Sequence, residues 1–209
     1  ALIEHSDIAD AKMRIFNRDG SEGRMAGNVI RCVAKYLFDN GYVKNKHMTI
    51  ETLSGVKELT LYTFNGQVGS VSVNMGKVVL DGKLIPSTLE GESVVARDIT
   101  VGGKDYRATL VNVGNPHCVI FCEKVDAVDV ANVGPLFEYA PYFPQRINAE
   151  FVRVVNAKTL KMRVWERGNG ETLACGTGAA ASVVAAVLNG HCKMDEDITV
   201  KVRGGDLIA

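Results

Sequence analysis

Glu166-Arg167-Gly168-Asn169-Gly170-Glu171-Thr172-Leu173-Ala174-Cys175-Gly176-Thr177-Gly178-Ala179-Ala180 sets a cysteine at the mouth of a glycine-rich turn. The Ala/Val-rich run that follows, to about Asn189, reads as a buried helix. The first N–H groups of a helix have no partner within it, and the helix dipole adds partial positive charge there. A thiol at that point is expected to have a depressed pKa and to serve as base or nucleophile near neutral pH. The same N–H groups, approached closely across Gly176 and Gly178, can hold a carboxylate or phosphate. Read alone, the stretch also fits a tight strand-to-helix turn with a core cysteine.

The stretch has a counterpart near the start of the chain. At a shift of 149 residues, Lys12-Met13-Arg14-Ile15-Phe16 falls on Lys161-Met162-Arg163-Val164-Trp165. Onward, Arg18 falls on Arg167, Glu22 on Glu171, Gly27 on Gly176 and Ala26 on Cys175. The repeated unit is a strand, a polar glycine-rich loop and a buried helix, and a repeat of this kind sets the architecture. Two similar α/β (α+β) domains are expected, their helix N-termini converging on one ligand. That geometry suits chemistry on both faces of a single carbon atom.

Working outward, Ala1–His5, Ser6–Asp10 and Lys12–Phe16 read as a hairpin. Gly27–Asn40 carries Val29, Ile30, Val33, Ala34, Leu37 and Phe38 at helical spacing and stops at Asn40-Gly41. Cys32 is assigned to the packing of that helix and His47 to a solvated loop. Alternating segments from Met48 to Val73, broken by Ser54-Gly55 and Asn65-Gly66, are strands joined by tight turns. Residues 92–113 continue as strands with a turn at Gly102-Gly103. The division is placed at 1–70 for the N-terminal half and 71–209 for the C-terminal half. At Gly114-Asn115-Pro116-His117 a strand breaks and resumes, which is expected to leave Asn115 and His117 exposed, the histidine able to pass protons near neutral pH. Cys118 and Cys122 point to the opposite face from His117, which argues against a metal site. Asp126–Leu136 reads as a short helix, and Leu207-Ile208-Ala209 as the start of a strand.

Lys and Arg number 24, as do Asp and Glu, so the formal charge of zero gives no sign of nucleic acid or an anionic membrane surface as partner. The longest apolar run, Leu173 to Leu188, is too short and too interrupted to span a bilayer. Five cysteines without a regular framework suit a reducing compartment, and no secretory leader opens the sequence, so a cytoplasmic protein is expected.

Asn17-Arg18-Asp19-Gly20-Ser21-Glu22 leading into Met25-Ala26-Gly27-Asn28, then Gly114-Asn115-Pro116-His117, Arg146-Ile147-Asn148, and Glu166 through Thr177 together resemble diaminopimelate epimerase, of the proline racemase/diaminopimelate epimerase superfamily. The likeness covers essentially the whole chain. It implies two pseudo-symmetric domains, each a curved, barrel-like β-sheet wrapped around a central helix. It also implies a cofactor-independent isomerase, active as a homodimer, that interconverts LL- and meso-diaminopimelate on the route to lysine and peptidoglycan. By this resemblance Cys175 is one catalytic thiol, Glu166 assists its proton traffic and His117 lies near the position of the second thiol. Asn17, Gly27, Asn28, Asn115, Asn148, Glu166, Arg167, Gly176 and Thr177 match substrate contacts, and Arg167 suits bidentate capture of the distal carboxylate.

Inversion at an α-carbon needs a base on one face and an acid on the other. Where the family carries its other catalytic cysteine this chain has Ala26, which has no proton to give, so impaired epimerisation is expected. The rival readings are a one-thiol lyase of the hydroxyproline dehydratase type, which leaves Arg167 unexplained, and a catalytically inactive amino-acid-binding homologue. The resemblance further implies segments before Ala1 and after Leu207 that would complete the two domains.

Overall fold

A computed structural model describes residues 1–17, 20–82, 84–89 and 91–209. Arg18 and Asp19 of the first polar loop lie outside the described residues. The chain divides into two compact units, Ala1–Gly76 and Lys77–Ala209.

The first unit opens with β1 (Leu2–Glu4) and β2 (Ala11–Phe16), paired antiparallel. The turn between them is held by Ser6, whose hydroxyl accepts from the N–H of Ile8 and Ala9. The short β3 (Glu22–Gly23) folds back on β2, and α1 (Gly27–Asp39) follows. β4 (His47–Thr52), β5 (Gly55–Phe64) and β6 (Gln67–Val73) complete a sheet of order β1-β2-β4-β5-β6. Asn65 and Gly66 join β5 to β6 with φ of 50° and 80°, as a two-residue hairpin requires. Residues 71–73, given by the sequence pattern to the second half, finish β6, where Leu59 pairs with Val73. Ile30, Val33, Ala34 and Leu37 of α1 bury against Met48, Ile50, Leu59, Leu61 and Val68. Cys32 is exposed rather than part of this core, because it lies on the opposite side of α1 from that stripe.

The second unit contains β7 (Arg97–Val101), β8 (Lys104–Asn112), β9 (Pro116–Phe121), α2 (Val130–Glu138), β10 (Asn148–Asn156), β11 (Thr159–Glu166), β12 (Gly170–Thr172), α3 (Gly176–Leu188), β13 (Thr199–Val202) and β14 (Gly205–Ile208). A 3-10 turn at Val125–Ala127 precedes α2, so the single helix expected over Asp126–Leu136 is two pieces. The sheet runs β14-β13-β11-β10-β9-β8-β7, with β12 paired to β11. Both faces of its centre are covered. Phe137, Phe143, Phe151, Cys118 and Ile120 form one core. Ala181 and Ala185 of α3 pack with Val119, Val152, Met162 and Val164 in the other. Successive strand residues face opposite sides, so odd positions of β9 and even positions of β10 and β11 turn toward α3.

The repeat is visible residue by residue. Ile15 pairs with Gly23 and Phe16 with Glu22, as Val164 pairs with Thr172 and Trp165 with Glu171. Leu2 faces Arg14, as Phe151 faces Arg163. Arg14 Nε donates to Glu22 at 2.7 Å, and Arg163 Nε to Glu171 at 2.9 Å. Mixed α+β units of two sheets, one curled into a half-barrel, with few helices, are the result.

Candidate active site

Strand alternation builds the polar cluster of the second unit. His117 on β9 pairs in register with Asn148 on β10, and Glu150 lies two residues further along. Glu166 ends β11 on the same face, and α3 starts beneath them with Cys175 as its N-cap, at φ −131° and ψ 114°. Asn148 crosslinks the strand ends to the loop: its Nδ2 donates to Pro116 O at 2.8 Å and its Oδ1 accepts from Arg167 N at 2.9 Å.

Cys175 Sγ accepts from Gly178 N at 3.3 Å and lies 3.3 Å from Thr177 Oγ1. Asn115 Nδ2 donates to that hydroxyl oxygen at 3.2 Å. On its other side Asn115 Oδ1 is 2.9 Å from His117 Nε2, and His117 Nδ1 is 2.6 Å from Glu150 Oε1. His117 is therefore not exposed at a strand break. The break is a turn between antiparallel β8 and β9, and the α3-facing side of β9 buries the imidazole completely. Asn115 is partly buried with it.

The expected depression of the Cys175 pKa is reversed. Burial pushes the thiol up to about 12, the charges of Glu166 and Glu150 push the same way, and Thr177 and the Gly178 N–H oppose them. Two donors from a helix N-terminus do not offset sealing a thiolate beside two carboxylates. At neutral pH Cys175 is a thiol, the form that gives a proton. Glu166 is also raised, first by burial, although Thr172 Oγ1 donates a hydrogen bond to it. Burial, with Arg146 nearby, lowers the Arg167 pKa, and Arg167 Nη1 donates to Gln145 O at 3.0 Å. Glu138, which the sequence pattern does not single out, braces this loop: its carboxylate accepts from Trp165 Nε1 at 2.6 Å and Gly168 N at 3.0 Å.

The structure thus gathers Cys175, Gly176, Thr177, Glu166, Arg167, Asn115, His117 and Asn148 in the second unit. Ala26, Gly27 and Asn28 stand at the start of α1 in the first, and Asn17 lies in the loop that follows β2. Ala26 is the N-cap of α1 at φ −143° and ψ 111°, and it offers no side-chain cap. Gly27 begins that helix, Asn28 Oδ1 accepts from Arg31 Nη2 at 2.6 Å, and Asn17 Nδ2 donates to Ser21 Oγ at 3.1 Å. The signal that could have exposed Glu150 is its polarity at an even position, two beyond Asn148, in the run Ile147–Val152 that is apolar but for these two residues.

The family model for diaminopimelate epimerase matches residues 1–80 and 109–209. The diaminopimelate epimerase of Acetivibrio thermocellus is 49% identical over 207 residues, covering 99% of this chain and 73% of that protein. The enzyme of the same name from Desulfitobacterium hafniense is 48% identical over 207 residues, covering 99% and 72%. Among solved structures, a probable proline racemase from Agrobacterium radiobacter superposes with a TM-score of 0.74 at 15% identity, over 99% of this chain and 70% of that one. A hydroxyproline epimerase from Agrobacterium vitis, with bound trans-4-hydroxy-L-proline, gives a TM-score of 0.75 at 16% identity, over 98% and 64%. At such identities these two speak for the fold alone.

Proposed function

Because this chain belongs to the diaminopimelate epimerase family, we propose that it acts on the α-carbon of diaminopimelate, with Cys175 as its proton-transferring thiol and without a cofactor. The observation that carries the reading is the start of α3, where Sγ meets Thr177 and the Gly178 N–H beside the carboxyl of Glu166. The first N–H groups of that helix suit the substrate α-carboxylate and the negative charge that develops when the α-proton leaves. A substrate ammonium beside Glu166 offsets carboxylate charge that helps hold the thiol protonated, so substrate binding itself brings the thiolate within reach. Glu166 modulates that exchange, and Arg167 pairs with the distal carboxylate.

Asn115, Asn148, Gly176 and Thr177 in the second unit, with Asn17, Gly27 and Asn28 in the first, are assigned as further substrate contacts. His117 acts as a proton-transfer modulator. The two units are epimerase-like halves of one enzyme of lysine biosynthesis, cytoplasmic and homodimeric. Ala26 sets the limit of the activity. A two-thiol inversion has no second thiol at that position, so removal and return of the α-proton by Cys175 outrun inversion. The same alanine favours a second reading, an amino-acid-binding homologue that turns nothing over.

Calorimetric titration tests the substrate assignment apart from turnover. Heat of binding is expected with meso-diaminopimelate and none with trans-4-hydroxyproline. The reverse preference would move the chain to a different substrate class, and a one-thiol lyase would then take its place.

A further inference from the structure

Glu150 has no part in the reading above, yet its carboxyl is fully buried, and among the described residues its Oε2 is the one buried side-chain nitrogen or oxygen without a hydrogen-bond partner. Its other oxygen contacts His117 Nδ1 at 2.6 Å. The site is shaped around it: a Cβ on Gly178 would come within 2.8 Å of Oε1, so the helix can start against this carboxyl only with glycine there.

The protons on this pair can be counted. A glutamate beside a neutral imidazole would leave a net negative charge buried with one oxygen unsatisfied, close to a second carboxyl at Glu166, which is the costliest arrangement available. Adding one proton neutralises the pair, whether that proton sits on Nδ1 or on Oε1. In both neutral forms Nε2 also carries hydrogen. Nε2–H then donates to Asn115 Oδ1, which turns the Asn115 amide nitrogen toward Thr177 Oγ1. The Thr177 oxygen is occupied as an acceptor, and its own hydrogen is left for Cys175 Sγ. With a bare Nε2 the order reverses: the amide flips, Thr177 donates to Asn115, and the sulfur loses a donor.

We propose that Glu150 is a positioning residue that keeps hydrogen on Nε2 of His117 and thereby aims the Thr177 hydroxyl at the Cys175 sulfur. This rests on the reading of Cys175 as the reactive thiol only for its consequence. Its test uses no turnover, so it can fail while the substrate assignment stands, and the reverse.

The direct measurement is the ¹⁵N spectrum of the imidazoles in a His5→Gln/His47→Gln/His191→Gln protein, in which three exposed histidines are removed and His117 alone remains. A protonated Nε2 at neutral pH is expected, and a bare Nε2 would overturn the proposal. The second arm is peptide-resolved alkylation of Cys175 by iodoacetamide at about pH 8, where rate follows thiolate fraction. Thr177→Val is expected to slow it about threefold, the scale of one hydrogen bond, in the parent and equally in Glu150→Gln, whose amide can donate to Nδ1. In Glu150→Leu the Thr177→Val effect is expected to shrink toward zero. An undiminished effect there would show that Glu150 does not aim the hydroxyl. Should the leucine variant not fold, the ¹⁵N spectrum decides alone.

Discussion

The two helix starts share a backbone and differ in chemistry. Ala26 and Cys175 occupy the same N-cap conformation, α1 and α3 both run 13 residues, and the strand registers ahead of them coincide. At α3 the cap side chain accepts a helix N–H and a buried polar chain surrounds it. At α1 the cap is a methyl group. The comparison extends to the shell: Val29 stands where α3 has Gly178, and the repeat places Ala1 where the second unit has Glu150. Among the described residues, only the second unit holds a buried carboxyl against its helix start, and only there must a side chain be absent to admit it. A duplicated backbone therefore fixes where a reactive group can stand, while a few side chains decide whether one does.

The largest effect that would break this comparison is loss of Cys175. Cys175→Ala is expected to lower α-proton exchange on meso-diaminopimelate by on the order of a hundredfold or more, the scale of a positioned proton-transfer group, measured by ¹H NMR in D₂O. Unchanged exchange would place the reactive group elsewhere. The pH response follows from the thiol being pushed up to about 12. Thiolate is the minor form below that value, so alkylation of Cys175 is expected to rise about tenfold per pH unit from neutrality upward. A plateau near pH 7 would instead restore the low-pKa thiol expected of a helix N-terminus. Glu166→Gln removes one of the charges that raise it and is expected to speed alkylation at a fixed neutral pH several-fold, as an opposing charge is lost.

Smaller effects sharpen the asymmetry of the shells. Gly178→Val forces a branched side chain into a space where even a Cβ meets Glu150 Oε1 at 2.8 Å. It is expected to cost about 1–3 kcal/mol of stability in urea unfolding, as overpacking does. Val29→Gly at the matching position of α1 is expected to cost about 1 kcal/mol through helix propensity and lost packing. Equal costs would deny the second shell its special fit. Last, Arg163 is more enclosed than Arg14, with side chains 15% and 36% exposed, and it also donates to Val128 O. Arg163→Met should lower the melting temperature by a few degrees, and Arg14→Met by less.

Much of this was legible in the sequence. The repeated Lys-Met-Arg strand and the small-residue helix carry the architecture, and the pairing of Ala26 with Cys175 locates the two matched helix starts, because registers and helix starts follow local pattern. What stayed hidden is set by tertiary burial. His117 beside Gly114-Asn115-Pro116 reads as a loop residue, yet the α3 side of β9 encloses it. The Cys175 pKa rises because burial strips the sulfur of water and seals it in near Glu166 and Glu150, an effect no helix-dipole argument contains. Cys32 could have been placed correctly: the stripe of Ile30, Val33, Ala34 and Leu37 leaves it on the far side of the helix, and its residue type outweighed that geometry.

The central claim, that this chain keeps one working thiol at one of two matched helix starts, is tested most directly by restoring the other. The parent and its Ala26→Cys variant would be incubated with meso-diaminopimelate in D₂O, with α-deuterium incorporation and LL-epimer formation followed separately. The account predicts exchange without appreciable inversion in the parent, and inversion on the order of a hundredfold faster in the variant. Comparable inversion by both proteins would contradict it, since another group would then supply the proton that residue 26 lacks.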